Sequence, residues 1–439
     1  MIRTTFQIHQ RGIDPAYKKP WNQGEYKSSL GSGFGVEVGK KKYVLTNAHV
    51  INTEKSSIKV VKWSSSKKYD AKIINIAPSV DMALLEMSNE FWGDIPILPL
   101  KTSPKKGEEI IVVGFPNGGH NASITRGIVS RLAPMPYSNS VKNMTIQIDA
   151  AVNPGNSGGP VIDIEGEHIV GIAFMHTSDA QNMCNMIPEF TIQHYLKEFE
   201  KTGKFNGVCD LGIKYTNLDN KTQQKVFLGK DEHGLKSGAL VCASSNLSIK
   251  VGDVLHSIDG TKIQNDGTIS MSNTYEILDE THMEEKVPYW HILRTKNPGD
   301  KIGLVIYRKG ISQSLNIRLY TGPNWLVPRT HNHISLDYYE INGFVFQALN
   351  HYHIGPSKNW RLLQHKDSFK DFDDHEIVIL VDVKPTESTE GFPKTPDMIL
   401  MSIDGVKVKN LAHVRELTKK GIVMLIFEQD IMFAINSNA

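Results

Sequence analysis

The stretch Asn153-Pro154-Gly155-Asn156-Ser157-Gly158-Gly159-Pro160 limits what this chain can become more than any other part of it. One hydroxyl stands among residues with almost no side chains, so backbone N–H groups can approach whatever reacts there. A serine in a G-x-S-x-G frame also occurs on a sharp strand-to-helix elbow, which requires a helix directly after the serine. Here Gly158, Gly159 and Pro160 follow and lead into Val161-Ile162-Asp163, which reads as a turn and a strand. The elbow, and with it an esterase, is disfavoured.

A serine hydroxyl is a weak nucleophile at neutral pH, so the stretch needs a base and an orienting acid from elsewhere. Upstream lie Thr46-Asn47-Ala48-His49, after the apolar Tyr43-Val44-Leu45, and Asp81, directly before Met82-Ala83-Leu84-Leu85. Histidine, aspartate, serine is the chymotrypsin-like order, whereas elbow enzymes place acid and histidine after the serine. In that scheme His49 takes the proton of Ser157 and later gives it to the leaving amine, while Asp81 fixes the tautomer of the imidazole. The N–H groups of Gly155 and Ser157, with Asn156 between them, are the candidate oxyanion donors. The competing acids Asp70 and Asp94 lack the apolar run that follows Asp81.

These three blocks resemble the catalytic blocks of the Deg/HtrA trypsin-like serine proteases. The resemblance implies a trypsin-like double β-barrel and an ATP-independent endopeptidase that degrades unfolded or damaged proteins through an acyl-enzyme, with no cofactor. No nucleotide loop of the G-x-x-x-x-G-K-[ST] type appears. Glycine tolerates either sign of φ, so the Pro154–Gly155 peptide is expected to flip between resting and active states, as in the family. By the same resemblance, the loop from Leu132 to Ser140, with Arg131 at its root, takes the place of the sensor loop. Ile172-Ala173-Phe174 resembles the segment that lines the first specificity pocket and pairs with substrate backbone. With no acidic residue there, small or medium apolar P1 side chains are expected. A function of another class stays open, a peptide-binding chaperone or scaffold in which proteolysis is secondary.

With 439 residues, 40% hydrophobic and 22% charged, the chain has the makeup of a globular protein of about three domains. Short apolar stretches between turn signals, among them Gly33–Val38, Ile58–Trp63, Glu109–Gly114 and His168–Phe174, predict an all-β sandwich or barrel to about Ile192. A helix from Pro188 to Lys201, stopped by Gly203, closes this part. The rest repeats itself. Gly252-Asp253 to Ile263 and Pro396-Asp397 to Val408 share a frame of D-hydrophobic-hydrophobic, then S-I-D-G-x-K-hydrophobic. A helix is predicted after each, near His291–Arg294 and His413–Leu417, and then a closing strand. The frame resembles PDZ domains. The expected fold is therefore mainly β, with a chymotrypsin/trypsin-like double barrel (1–203) followed by two PDZ-like α+β domains (204–322 and 323–439). Leu211-Gly212-Ile213, after Asp210, looks like the loop whose amides hold a peptide carboxylate. Asn342-Gly343-Phe344-Val345 is a looser version before the second copy.

A net charge of +2 gives no basic excess of the kind nucleic acid requires. Cys184, Cys209 and Cys242 are too scattered for a disulfide framework or a metal site, and reduced thiols are expected. His331-Asn332-His333 and His351-Tyr352-His353 lack a further ligand pair and read as solvated loop histidines, so no metal is expected. No apolar run is long enough to span a bilayer, and no leader is recognised, so the chain reads as soluble and intracellular. The closest resemblance is to the plant-type intracellular Deg proteases. It implies unfolded proteins and peptides as partners, and a homotrimer or trimer-based hexamer.

Overall fold

Side chains that alternate between the two faces of a strand let a sheet bury one face, or both. In the first part of the chain this alternation closes two barrels. The computed structural model describes residues 2–16, 19–22, 24–51, 56–116, 119, 121–137, 141–174, 184–229, 236–270, 285–322, 325–328, 337–354, 359–392 and 397–436. In it β1 (Thr5–Asp14), β2 (Glu25–Val38), β3 (Lys41–Thr46), β4 (Ser57–Lys62), β5 (Lys68–Ala77) and β6 (Met82–Glu86) form a closed barrel in the order β1-β2-β3-β6-β5-β4. A second closed barrel takes β7 (Glu109–Gly114), β8 (Ser123–Pro136), β9 (Lys142–Ile148), β10 (Pro160–Asp163), β11 (Ile169–Phe174) and β12 (Cys184–Pro188) in the order β10-β11-β12-β9-β8-β7. The four strands expected from the sequence fall on β2, β4, β7 and β11.

Alternation also decides how the barrels meet. Val44, Ala83 and Leu85 pack inside the first barrel with Phe6, Ile8 and Val60, while their neighbours Tyr43, Leu45, Met82 and Leu84 join Ile172, Phe174 and Ile187 in a core shared by both barrels. The helix Glu189–Thr202 buries Ile192, Tyr195, Leu196 and Phe199 in that same core, at helical spacing. Gly203 ends it in the left-handed conformation, its N–H donating to the Phe199 carbonyl.

Behind the second barrel, strands Ile213–Thr216, Ala239–Ser244, Val254–Ile258, Lys301–Arg308 and Ile311–Arg318 form one sheet in that order. In the last part of the chain the order is Tyr339–Ile341, Phe344–Ala348, Val378–Val383, Met398–Ile403, Ile422–Phe427, Met432–Asn436. The sequence repeat has a common physical cause. Asp259-Gly260 and Asp404-Gly405 are both left-handed at both positions, as a two-residue hairpin turn demands. Each aspartate then accepts a backbone N–H from the closing strand, Gly303 at 3.0 Å and Met424 at 2.8 Å. The predicted helix near His291 is a 3-10 helix, Tyr289–Thr295, and the one near His413 is an α-helix, Leu411–Leu417.

Two compact units result. The first is Met1–Gly12 with Lys27–Pro323, and the second is Ile13–Tyr26 with Asn324–Ala439. Within the first, Met144, Leu132 and Phe190 of the second barrel and its helix pack into the core of the module that follows. Cys184 and Cys209 are buried and Cys242 is exposed, none of them in a disulfide.

Candidate active site

β3 and β6 are neighbours, with Thr46 opposite Ala83. That register alone sets His49, three residues beyond Thr46 in the short helix Ala48–Ile51, beside Asp81, two residues before Ala83. His49 Nδ1 lies 2.7 Å from Asp81 Oδ2, and the backbone N–H of His49 donates to Oδ1 at 3.0 Å. An ionised carboxylate only accepts, so Nδ1 carries the proton and the lone pair of Nε2 is left for a substrate-side partner. Asp81 is fully buried and sits at φ +52, a strained value for a residue with a side chain. Its carbonyl accepts from Ala48 N–H at 3.1 Å and from Asn47 Nδ2 at 2.9 Å, which fix it there. Burial pulls the His49 imidazole down, but the charge and hydrogen bond of Asp81 outweigh it and hold the group above its ordinary 6.5. Asp70 and Asp94 lie at the surface, paired with Lys59 and Arg3.

Ser157 enters from the loop before β10. Asn156 N–H donates to the Asn153 carbonyl at 3.0 Å across Pro154 and Gly155, and Gly155 has φ +103, so the loop is a type II turn. Asn156, expected among the oxyanion donors, spends its N–H on this turn, and its side chain is buried. The N–H groups of Gly155 and Ser157 have no acceptor among the described residues. A Cβ on Gly158 would stand 2.2 Å from the Ser32 carbonyl oxygen and 2.3 Å from Thr46 Oγ1. Only glycine therefore lets this loop of the second barrel press against the end of β3, just ahead of His49. No hydrogen bond joins Ser157 Oγ to His49 here. Such contacts tighten when substrate binds.

The other predicted residues fall in various places. Ile172, Ala173 and Phe174 are all buried, Ile172 and Phe174 in the core between the barrels and Ala173 inside the second. Phe174 reaches the site, its ring edge-on to His49 with centroids 6.2 Å apart. Behind it stands Tyr137, whose hydroxyl donates to the Met144 carbonyl at 2.9 Å. Residues 138–140 of the expected sensor loop lie outside the described residues, as do His331 and His333. In the first module Gly212 N–H donates to Asp210 Oδ1 at 2.9 Å, and Leu211 and Gly212 offer their carbonyls to Asn246 and Ser245. Ile213 opens the edge strand of that sheet. Asn342-Gly343 is instead the tip of a tight hairpin, with φ +47 and +90, so Tyr339–Ile341 already pairs with Phe344–Ala348. His353 departs from the expectation of a solvated loop histidine. It is fully buried, accepting from Asn350 N–H and bonded to Gln347 Oε1, because it lies on a short helix, His351–Ile354, that packs inward. Motif reading passes over two buried polar residues beside the loops that carry Ser157 and Asp81, Ser32 and Asn143. Their only trace in the sequence is that Ser32 stands between Gly31 and Gly33.

Residues 31–172 match the family model of the trypsin-like peptidase domain, and residues 327–437 match that of a PDZ domain. Two closed barrels, a His–Asp pair held in the first of them and this domain match thus define a trypsin-like serine peptidase. Do-like protease 13 of Arabidopsis thaliana is 33% identical over 423 residues, covering 96% of this chain and 80% of that protein. The same plant's protease Do-like 4, mitochondrial, is 31% identical over 410 residues, covering 92% of this chain and 74% of that one. In fold, the HtrA-type protease AlgW with decapeptide superposes with a TM-score of 0.53 at 21% identity, over 73% of this chain and 96% of that one. The chain belongs to the Deg/HtrA family of serine endopeptidases with PDZ domains.

Proposed function

We propose that this endopeptidase cleaves unfolded or damaged proteins without ATP, with Ser157 as nucleophile, His49 as general base and acid, and Asp81 as the orienting carboxylate. Ser157 Oγ attacks the scissile carbonyl carbon while His49 Nε2 takes the hydroxyl proton. The displaced electron pair settles on the carbonyl oxygen, which the N–H groups of Gly155 and Ser157 receive; losing one such donor costs about 3 kcal/mol. Collapse breaks the C–N bond as His49 hands its proton to the leaving amine. Water, deprotonated by the same imidazole, then hydrolyses the acyl-enzyme. The observation that carries this reading is the double grip of Asp81 on His49, at 2.7 and 3.0 Å, together with a turn whose Gly155 and Ser157 N–H groups have no acceptor among the described residues.

The strand Ile172-Ala173-Phe174 bears no acidic side chain, which supports apolar P1 residues of small or medium size. We read 1–203 as the protease domain, 204–322 as the first PDZ domain and 323–439 as the second. The edge strand Ile213–Thr216, which begins within Leu211-Gly212-Ile213, supports capture of peptide C-termini by the first. Family membership supports a homotrimer, or a hexamer built from trimers. No helix among the described residues is long and apolar enough to cross a membrane, and an aqueous compartment inside the cell is the reading adopted.

Incubation with unfolded casein in the absence of nucleotide tests the proposal. Wild type degrades it, and Ser157→Ala does not while still binding peptide. Degradation that survives Ser157→Ala removes the assignment. Binding without cleavage by wild type replaces it with the chaperone reading.

A further inference from the structure

The catalytic groups come from two barrels, so something must hold His49 and Asp81 of the first in register with Ser157 of the second. Ser32, on β2 of the first barrel, is fully buried. Its hydroxyl donates to the Gly155 carbonyl at 2.7 Å and accepts Phe115 N–H at 2.9 Å. Its backbone N–H donates to the Ser157 carbonyl at 2.9 Å, and its carbonyl accepts from Thr46 Oγ1 at 2.7 Å. Ser32 thus grips the nucleophile loop on both sides of Asn156. Asn143, on β9 of the second barrel and 2% exposed, reaches the other way. Its Nδ2 donates to the Ser79 carbonyl at 2.7 Å, in the turn that ends at Asp81.

We propose that Ser32 and Asn143 are reciprocal positioning residues, each reaching from one barrel to fix the catalytic loop of the other. This rests on the catalytic roles given above to His49, Asp81 and Ser157. A buried hydroxyl or amide is stabilising only when its partners are in place, so each bond enforces one geometry rather than merely adding attraction. The Gly155–Asn156 peptide is held at both ends, its carbonyl by Ser32 and its N–H by the Asn153 carbonyl. The neighbouring Pro154–Gly155 peptide, which carries an oxyanion donor, therefore turns against a fixed frame. Asn143 does the equivalent for Asp81. It anchors Ser79 so that the left-handed aspartate aims at His49 rather than relaxing outward.

The test is steady-state peptide cleavage by full-length Ser32→Ala and Asn143→Ala, with melting temperature recorded for each. Ser32→Ala is expected to lower kcat by about 10- to 100-fold with KM within about twofold, and to leave the ascending limb of the pH profile where it is. Asn143→Ala is expected to lower kcat comparably and to move that limb to lower pH, since a misaimed Asp81 no longer offsets the burial of the imidazole. Should either variant fail to fold, Ser32→Cys and Asn143→Leu take its place, keeping volume while weakening or removing the hydrogen bond. Folded variants with wild-type kcat, or losses that only follow the unfolded fraction, overturn the proposal. An inactive wild type, by contrast, removes the catalytic reading beneath it.

Discussion

At His49 two opposing forces are visible on one side chain. Burial disfavours the imidazolium and Asp81 favours it, and the carboxylate prevails. Catalysis needs the neutral ring, so kcat/KM should rise with pH along a limb whose midpoint lies above 6.5. A midpoint at or below that value, read from initial rates between about pH 5 and 9, would contradict the pairing. Asp81→Asn keeps the shape but presents an amide to Nδ1, inviting the wrong tautomer. A loss of kcat on the order of 10⁴-fold with little change in KM is expected, measured with a chromogenic peptide. Both residues were legible in the sequence because chemistry restricts their type and order. The left-handed backbone of Asp81 was not, since only the carbonyl contacts from Asn47 and Ala48 make it tolerable. Ser32 and Asn143 were illegible for a similar reason, because a lone serine or asparagine acquires meaning only from the loop it meets across the cleft.

At the scale of elements, the hairpin of β10 and β11 that follows Ser157 is tied by Asp163. Its carboxylate accepts the N–H groups of Glu167 and His168 at 2.9 and 3.0 Å and pairs with His168 Nδ1 at 2.8 Å and Lys101 at 3.3 Å. Burial raises this acid, but the hydrogen bonds outweigh it and bring it down to about 2. A depressed carboxylate stabilises the fold fully above its unfolded value near 3.8 and loses that contribution as pH falls toward about 2. Asp163→Asn should therefore cost about 2 kcal/mol in a urea melt at pH 7, with the difference from wild type closing in acid. An equal difference at about pH 3 and pH 7 would argue against the linkage.

The two PDZ-like modules differ in one element that the repeat conceals. Strand Tyr339–Ile341 lies where an added peptide strand would pair with Phe344–Ala348. Tyr339 Oη bonds to Thr418 Oγ1 at 2.8 Å, Arg415 donates to the Tyr338 carbonyl at 2.9 Å, and Ile341 is buried in the core. In hydrogen–deuterium exchange, an added peptide with an apolar C-terminus should protect Ile213–Thr216 and leave Phe344–Ala348 unchanged. Protection at the second strand would contradict this. The sequence showed two modules because the D-G turns repeat. It hid the difference because Asn342-Gly343 serves a hairpin as readily as a carboxylate loop.

For the whole molecule, the class of fold could be read from period-two stretches and the order of three short blocks, whereas the contact between barrels could not. The core they share is built from the alternate face of each strand, Tyr43 and Leu45 against Ile172 and Phe174, residues that look like ordinary strand interior in one dimension. In the proposed mechanism, that shared core is what brings a serine from one barrel to a histidine in the other. Labelling with a fluorophosphonate, mapped by peptide mass spectrometry, examines this meeting most directly. One adduct is expected, on Ser157, formed faster as pH rises through the His49 limb and reduced by orders of magnitude in Asp81→Asn. An adduct on a different serine, or casein cleavage by wild type with Ser157 unlabelled, would contradict it.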